Sequence, residues 1–388
     1  MSTLLTAVGD LVAWMRSRAD ALDRDAVFPA QEIEKLRAAG ALSPKLPLLD
    51  HDGLDHAGLD HAGLDHDGLN HERLERDELD RDTLDPGMLR PSRTDELACL
   101  LGLVGRGNLS VGRILEAHVN ALHLMARQGA RPEPDRLYAL WVTDPPTDGL
   151  RMRRAGARVL LTGGKQFCSA AGHATAALVT ARDADGDTRM LTLPLGLGET
   201  VTPLPSPLQG MRAAVTGTVD FTGCEVSADR LLGRAGDYMR EPDFSAGAWR
   251  GSAVALGGLI ALIDHAAEQL RQFGRLNNPH VQARLGQAII ARETSRLWVK
   301  SAARVAEDES AETGYRVATV GLARIAVETA CLDAMRLVQR SVGLSAFRQG
   351  NPIELICRDL STYLRQPAPD EVLTEAATWF ADHAEHRL

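Results

Sequence analysis

The residues best equipped for chemistry fall in one stretch, 158–182, whose centre reads Gly163-Gly164-Lys165-Gln166-Phe167-Cys168-Ser169-Ala170-Ala171-Gly172. Phe167 offers an aromatic face and Ser169 a hydroxyl. The small residues that follow let a flat ligand come close to the backbone. Apolar runs on both sides are strand-like, and the Gly-Gly pair between the first two predicts a hairpin. The same pattern also describes an ordinary β-corner. His118 is a second candidate: it lies on the apolar side of a helical run, where a histidine is either a proton carrier or a satisfied core residue. Five cysteines, an odd number with no Cys-x-x-Cys pair, predict reduced thiols of a cytoplasmic protein and no structural zinc.

The elements that must position these groups follow from periodicity. Residues 4–42 and 94–128 carry apolar side chains at helical spacing, the second run broken around 105–108. Between them, leucine recurs every fifth residue from 49 to 89, with histidine at 51, 56, 61, 66 and 71. Five residues turn a helix by about 500°, and an odd period throws alternate residues to opposite faces of a strand, so neither structure gains an apolar face. A mobile loop is expected there, and no metal site, because nothing would fix the histidines in one geometry. From 131 onward prolines cluster and short strands alternate with turns, at 138–143, 157–161, 166–169, 176–180, 189–193 and 216–221. After 244 the chain reads as long helices, 253–273, 280–306, 315–342 and 369–383, joined by short links. A net charge of −9 argues against nucleic acid as a partner. Residues 1–21 lack the basic start of a signal peptide, and no segment reads as apolar for long enough to span a bilayer.

In this order the motifs resemble the acyl-CoA dehydrogenase superfamily of flavoproteins, including its flavin monooxygenase branch, over nearly the whole chain outside 49–89. Asp23-Arg24 with Phe28-Pro29, and Gly105-Arg106-Gly107-Asn108 with His118, resemble its N-terminal helices. Trp141-Val142-Thr143-Asp144-Pro145 resembles the strand ending in Thr-Glu-Pro beside the flavin, and Gly164-Lys165-Gln166-Phe167-Cys168-Ser169 resembles the Gly-x-Lys-x-Trp-Ile-Thr strand. Gln272-Phe273-Gly274 resembles the Phe-Gly helical corner, and Gly343 with Phe347, Pro352, Glu354 and Arg358-Asp359 resembles the C-terminal signature. The resemblance implies an α+β fold: an N-terminal helical domain (1–131), a middle antiparallel β-barrel domain (132–235) and a C-terminal four-helix bundle (236–388). It implies FAD, held by Trp141, Val142, Thr143, Phe167 and Ser169, with Arg271, Phe273, Gln339, Arg340 and Gly343 reaching the cofactor, mainly that of another subunit. The small-residue run 253–261 with Gly257-Gly258 suits close helix contact, so a homodimer or homotetramer is expected.

One departure bears on the chemistry. The family's dehydrogenases take a substrate α-proton with a glutamate nine residues after the Arg of Arg-Asp, and that count lands on Pro367. Asp243 stands near the family's second position for this base, which leaves Asp243 and His118 as weak catalytic candidates. The expected function is an FAD-dependent oxidoreductase acting on CH–CH donors such as an acyl thioester, with a non-standard base or none. The alternatives are a flavin monooxygenase or oxidase of the same fold, needing no carboxylate there, and a non-catalytic relative.

Overall fold

The computed structural model describes residues 2–46, 93–383 and 386; the five-residue repeat lies outside them. Ser2 caps helix α1 (Thr3–Arg24) by accepting from the Leu5 N–H, and Leu5, Val8, Val12 and Met15 bury one stripe. The short α2 (Ala30–Ala38) follows. Asn108 divides α3 (Arg93–Gly107) from α4 (Leu109–Arg127): its extended backbone ends one helix and its side chain caps the next through the Val111 N–H, 3.2 Å. Helix α4 is buried on nearly every side, because it lies between the strands and the later helices.

Ten strands follow: β1 (Tyr138–Trp141), β2 (Arg151–Ala155), β3 (Arg158–Thr162), β4 (Gly164–Cys168), β5 (Ala176–Arg182), β6 (Thr188–Pro194), β7 (Thr200–Pro203), β8 (Gly217–Asp220), β9 (Glu225–Ser227) and β10 (Leu231–Leu232). They form a seven-stranded sheet, β10-β6-β5-β2-β3-β9 with β1 parallel to β5, and a three-stranded sheet, β4-β8-β7. Neither sheet closes among the described strands, and two of the pairings to β5 are parallel, so the expected antiparallel barrel is replaced by two open sheets. The expected hairpin is also corrected. β3 pairs with β2 and β9, whereas β4 pairs with β8, so the Gly-Gly pair carries the chain from one sheet into the other. The pair is glycine for steric reasons. Gly163 has φ +86°, and a Cβ there would sit 2.4 Å from the Asp148 carbonyl oxygen; at Gly164 it would sit 2.4 Å from that of Val219.

After the short α5 (Asp243–Ala246), helix α6 (Trp249–Gln272) packs against α3, α4, α7 (Pro279–Glu307), α8 (Thr313–Val342) and α9 (Pro352–Tyr363); α10 (Pro369–Asp382) lies on α8. The expected four-helix arrangement is met only as far as α6, α7 and α8 pack together with α10 beside α8. Residues 243–272 do have the length of a membrane-crossing helix, and an 18-residue window within them has the mean hydropathy, 1.4, of one, contrary to the sequence reading. Their apolar window is 78% buried in the molecule, however, so the apolarity is that of a core helix. Its small residues serve the chain itself: a Cβ on Gly257 would lie 2.1 Å from the Gly102 carbonyl oxygen, and one on Gly105 2.3 Å from that of Val254. The contact attributed to assembly is thus an internal crossing of α3 and α6.

Candidate functional site

Two strands build the corner around Phe167. The chain beyond β1 runs beside β4, where the Gln166 N–H donates to the Thr143 carbonyl, 3.0 Å, and the Gln166 side chain donates to that of Asp144, 3.0 Å. Lys165 is buried and pins the two together: its ammonium donates to Asp144 Oδ1 (2.6 Å), Thr180 Oγ1 (2.9 Å) and the Val142 carbonyl (3.2 Å). Burial draws its pKa below the usual lysine value, against the opposing pull of Asp144. The Trp141 indole donates to the Ser169 carbonyl, 2.9 Å. The structure therefore brings Trp141, Val142, Thr143, Phe167 and Ser169 together, with Trp141 and Ser169 buried and Thr143 exposed.

The register of β4 slips between Lys165 and Cys168, and Phe167 and Ala170 both adopt left-handed backbone, φ +54° and +57°. Such conformations cost on the order of 1–3 kcal/mol each for residues with a Cβ, and strain of this kind clusters at ligand sites. The result is an aromatic residue 50% exposed, between half-buried Gln166 and buried Cys168. Six residues further along the chain, His173 stacks on Phe28, ring centres 4.3 Å apart and planes 2° off parallel. The corner is anchored from behind. Ala170 and Ala171 donate to the carbonyls of Ala214 and Val215, and the Met211 N–H at the start of that loop donates to Asp359 Oδ1, 2.6 Å. Arg358 binds Asp23 (2.8 Å), Glu354 (2.8 Å) and the Gln209 carbonyl (2.8 Å). The Arg-Asp pair of the C-terminal motif is thus a positioning device, and burial raises Asp359 to a pKa of about 7.

The other sequence-selected residues stand apart from that corner. His118 is enclosed: Nδ1 accepts from the Tyr138 N–H, 3.1 Å, and Nε2 lies 3.1 Å from the Leu42 carbonyl, to which it donates in the neutral ring. Burial lowers its pKa to about 4, and with both nitrogens committed it has no atom left for a reactant. Asp243, at the start of α5, pairs with Arg127 at 3.3 Å. Arg271 pairs with Glu268 at 3.2 Å on the surface, and Phe273, half exposed, lies under Arg275 at 5.7 Å. Arg275 donates to the Val342 carbonyl beside Gly343; Gln339 is half-buried and Arg340 exposed on the last turns of α8. Arg271 and Phe273 thus lie at the α6–α7 corner and Gln339, Arg340 and Gly343 at the end of α8, the two places joined through Arg275.

Sequence reasoning missed a cavity between α4, α6, α8 and α9, lined among others by Glu116, Ser252, Arg324, Glu328, Tyr363 and Gln366 and enclosing about 80 Å³. Glu116 is held by Arg113 and Asn120, and Glu328 by Arg365. Arg324 donates through Nη2 to the Pro367 carbonyl. The Arg324 Nε and the Tyr363 hydroxyl are buried without a partner. Burial lifts the Tyr363 pKa well above its ordinary value and lowers that of Arg324. The available signal was Arg113-x-x-Glu116-x-x-x-Asn120: polar residues at helical spacing inside an apolar helix. Among the described residues no cluster of histidine, cysteine and acidic side chains has metal-binding geometry, and all five cysteines are free thiols.

The fold is shared with several flavin-enzyme structures at low sequence identity. The chain superposes on the dibenzothiophene monooxygenase TdsC from Paenibacillus sp. A11-2, solved with FMN and indole, with a TM-score of 0.78, 17% identity and 98% of both chains covered. A similar match is made to butyryl-CoA dehydrogenase from Megasphaera elsdenii, TM-score 0.77, 15% identity, 97% of both chains. A nitrososynthase from Micromonospora carbonacea var. africana matches with a TM-score of 0.73 at 18% identity, over all of this chain and 98% of that one. No family model matches the sequence, and no curated protein matches it by sequence.

Proposed function

We propose that the protein is a flavin-dependent oxidoreductase, with the flavin ring against Thr143, Phe167 and Ser169. The strained corner carries this reading: backbone energy is spent to keep Phe167 half exposed beside an exposed threonine, and a flat heteroaromatic ring is the group such a surface suits. On the face of Gly172 a Cβ would meet only Val201, at 3.9 Å, so the approach is open. Thr143 and Ser169 would offer their hydroxyls to the ring, and the FMN named in the TdsC complex supports the shorter flavin. When bound, a flavin supplies electron transfer and oxygen activation. The protein's own residues would hold the ring, while the Lys165–Asp144 pair secures the strand that carries Phe167 and Arg358 and Asp359 position the corner. A small molecule would enter beside Arg324, and Arg271, Phe273, Gln339, Arg340 and Gly343 are proposed to meet a second subunit's cofactor.

The oxygenase or oxidase branch is favoured over dehydrogenation. Proline stands where a base would, its carbonyl held by Arg324. Both carboxylates of the adjoining cavity are committed to arginines, and Asp243 is paired with Arg127. A committed carboxylate is a poor general base because its partner stabilises the ionised form. Reduction by an acyl-CoA without oxygen, followed as bleaching of the bound flavin, separates the two. Bleaching would restore the dehydrogenase reading; oxygen consumption that requires an external flavin reductase would support the oxygenase.

A further inference from the structure

Beside the cavity at Tyr363 lies a groove of about 510 Å³ between α5, α8 and α10, within the usual range for a small-molecule site. Ala248 and Arg324 line both spaces. The groove is apolar, with Phe244, Val317, Val372 and Trp379 in its walls. Its end is polar and electrostatically unfinished. Glu116 is paired with Arg113 and Glu328 with Arg365, whereas Arg324 has no carboxylate within ion-pairing distance among the described residues and feels Glu328 only from further off. Two donors, the Arg324 Nε–H and the Tyr363 hydroxyl, are buried without a protein partner on residues that line the same cavity, where a bound acceptor would satisfy both.

We propose that this is a binding site for an amphipathic monocarboxylate: the carboxylate lies in the inner cavity, accepting from Arg324 Nε and Tyr363 Oη, and an aliphatic or aryl body fills the groove. A carboxylate answers both deficits, supplying an ion-pair partner for Arg324 and acceptors for the two stranded donors. The inner space, about 80 Å³, has room for a group of a few heavy atoms and no more. An ammonium head would face Arg324, and a hydroxyl would leave its charge uncompensated. The two acidic residues of the groove wall, Glu241 and Glu375, are both exposed, where water and salt screen their charge. That the bound carboxylate is the substrate rests on the flavin reading above; its binding does not.

The test is calorimetric titration of the full chain with octanoate, 1-octanol and octylamine. Octanoate is expected to bind, at least tenfold more tightly than either comparator. Arg324→Gln should weaken octanoate about tenfold to a hundredfold. Tyr363→Phe should weaken it about tenfold while raising the melting temperature of the ligand-free protein, because a stranded hydroxyl is gone. Should Arg324→Gln fail to fold, Tyr363→Phe decides alone. Equal binding of octanol or octylamine, undiminished octanoate binding in Tyr363→Phe, or no octanoate binding would overturn the proposal. Flavin titration of the same samples keeps the two readings apart: flavin bound without octanoate sinks only this site, and octanoate bound without flavin sinks only the cofactor reading.

Discussion

Removal of the His118 ring should change how stability responds to acid more than it changes catalysis. The ring is buried between α4, β1 and the Leu42 carbonyl, and its pKa falls from 6.5 to about 4, first through burial and then through the charge of Arg37. The sign follows directly. Between these values the unfolded chain binds a proton that the folded chain refuses. The ring's contribution is therefore intact above pH 6.5 and is lost as pH falls towards 4. At about 1.4 kcal/mol per pH unit, the full loss is about 3 kcal/mol, of which about 2.5 kcal/mol has gone by roughly pH 4.5. His118→Gln keeps one donor and one acceptor and cannot titrate. Urea unfolding of both proteins from about pH 7.5 to 4.5 should show the variant less stable at neutral pH, by about 1–3 kcal/mol for a core substitution. The gap should narrow or invert in acid by about 2.5 kcal/mol. Parallel stability curves would refute the reasoning, since they would mean that the ring titrates equally in both states.

Lys165→Met leaves the Val142 carbonyl and Asp144 without their ammonium; Thr180 still reaches Val142 and Asp144 is partly in water, so a loss of about 2–4 kcal/mol in urea unfolding is expected. No loss would show that the buried lysine does not secure the corner. Asp359→Asn should stabilise the protein increasingly as pH rises from about 4 through 7. The folded carboxyl holds a proton there that the unfolded one releases, and the amide oxygen still accepts from Met211. A pH-independent difference would contradict this. We also propose that α7 carries a subunit contact, because Ile290 and Leu297 are 67% and 58% exposed; Ile290→Lys with Leu297→Lys should then shift size exclusion from a dimer or tetramer to a monomer. A monomeric unmutated protein would end that proposal.

Much of the fold was legible because periodicity is local. The stripes of α1, α3 and α4 and the apolar runs of β5 and β6 declare themselves in a few residues, and Asn108 marks its break by its capping chemistry. The strands that escaped notice carry little such signal. In β2, Arg-Met-Arg-Arg-Ala, only Met152 is buried, and β10 is two residues long. The Gly-Gly pair shows the limit of local reasoning: its glycines are demanded by Asp148 and Val219, brought close by the tertiary fold, so a hairpin and a sheet-to-sheet crossing look alike in sequence. The same holds at the sites. Phe167 was visible from its neighbours, but its left-handed backbone was not. The stranded donors on Arg324 and Tyr363 are evident only once α8 and α9 share a cavity wall, 39 positions apart in sequence as they are.

The central claim is that the corner at Thr143, Phe167 and Ser169 holds a flavin, and titration of the purified protein with FMN and FAD tests it most directly. Quenching of flavin fluorescence should saturate at micromolar concentrations with one flavin per chain, and Phe167→Ala should weaken binding about tenfold by removing a half-exposed aromatic contact. Absence of quenching with either flavin, or quenching unchanged by Phe167→Ala, would contradict the account.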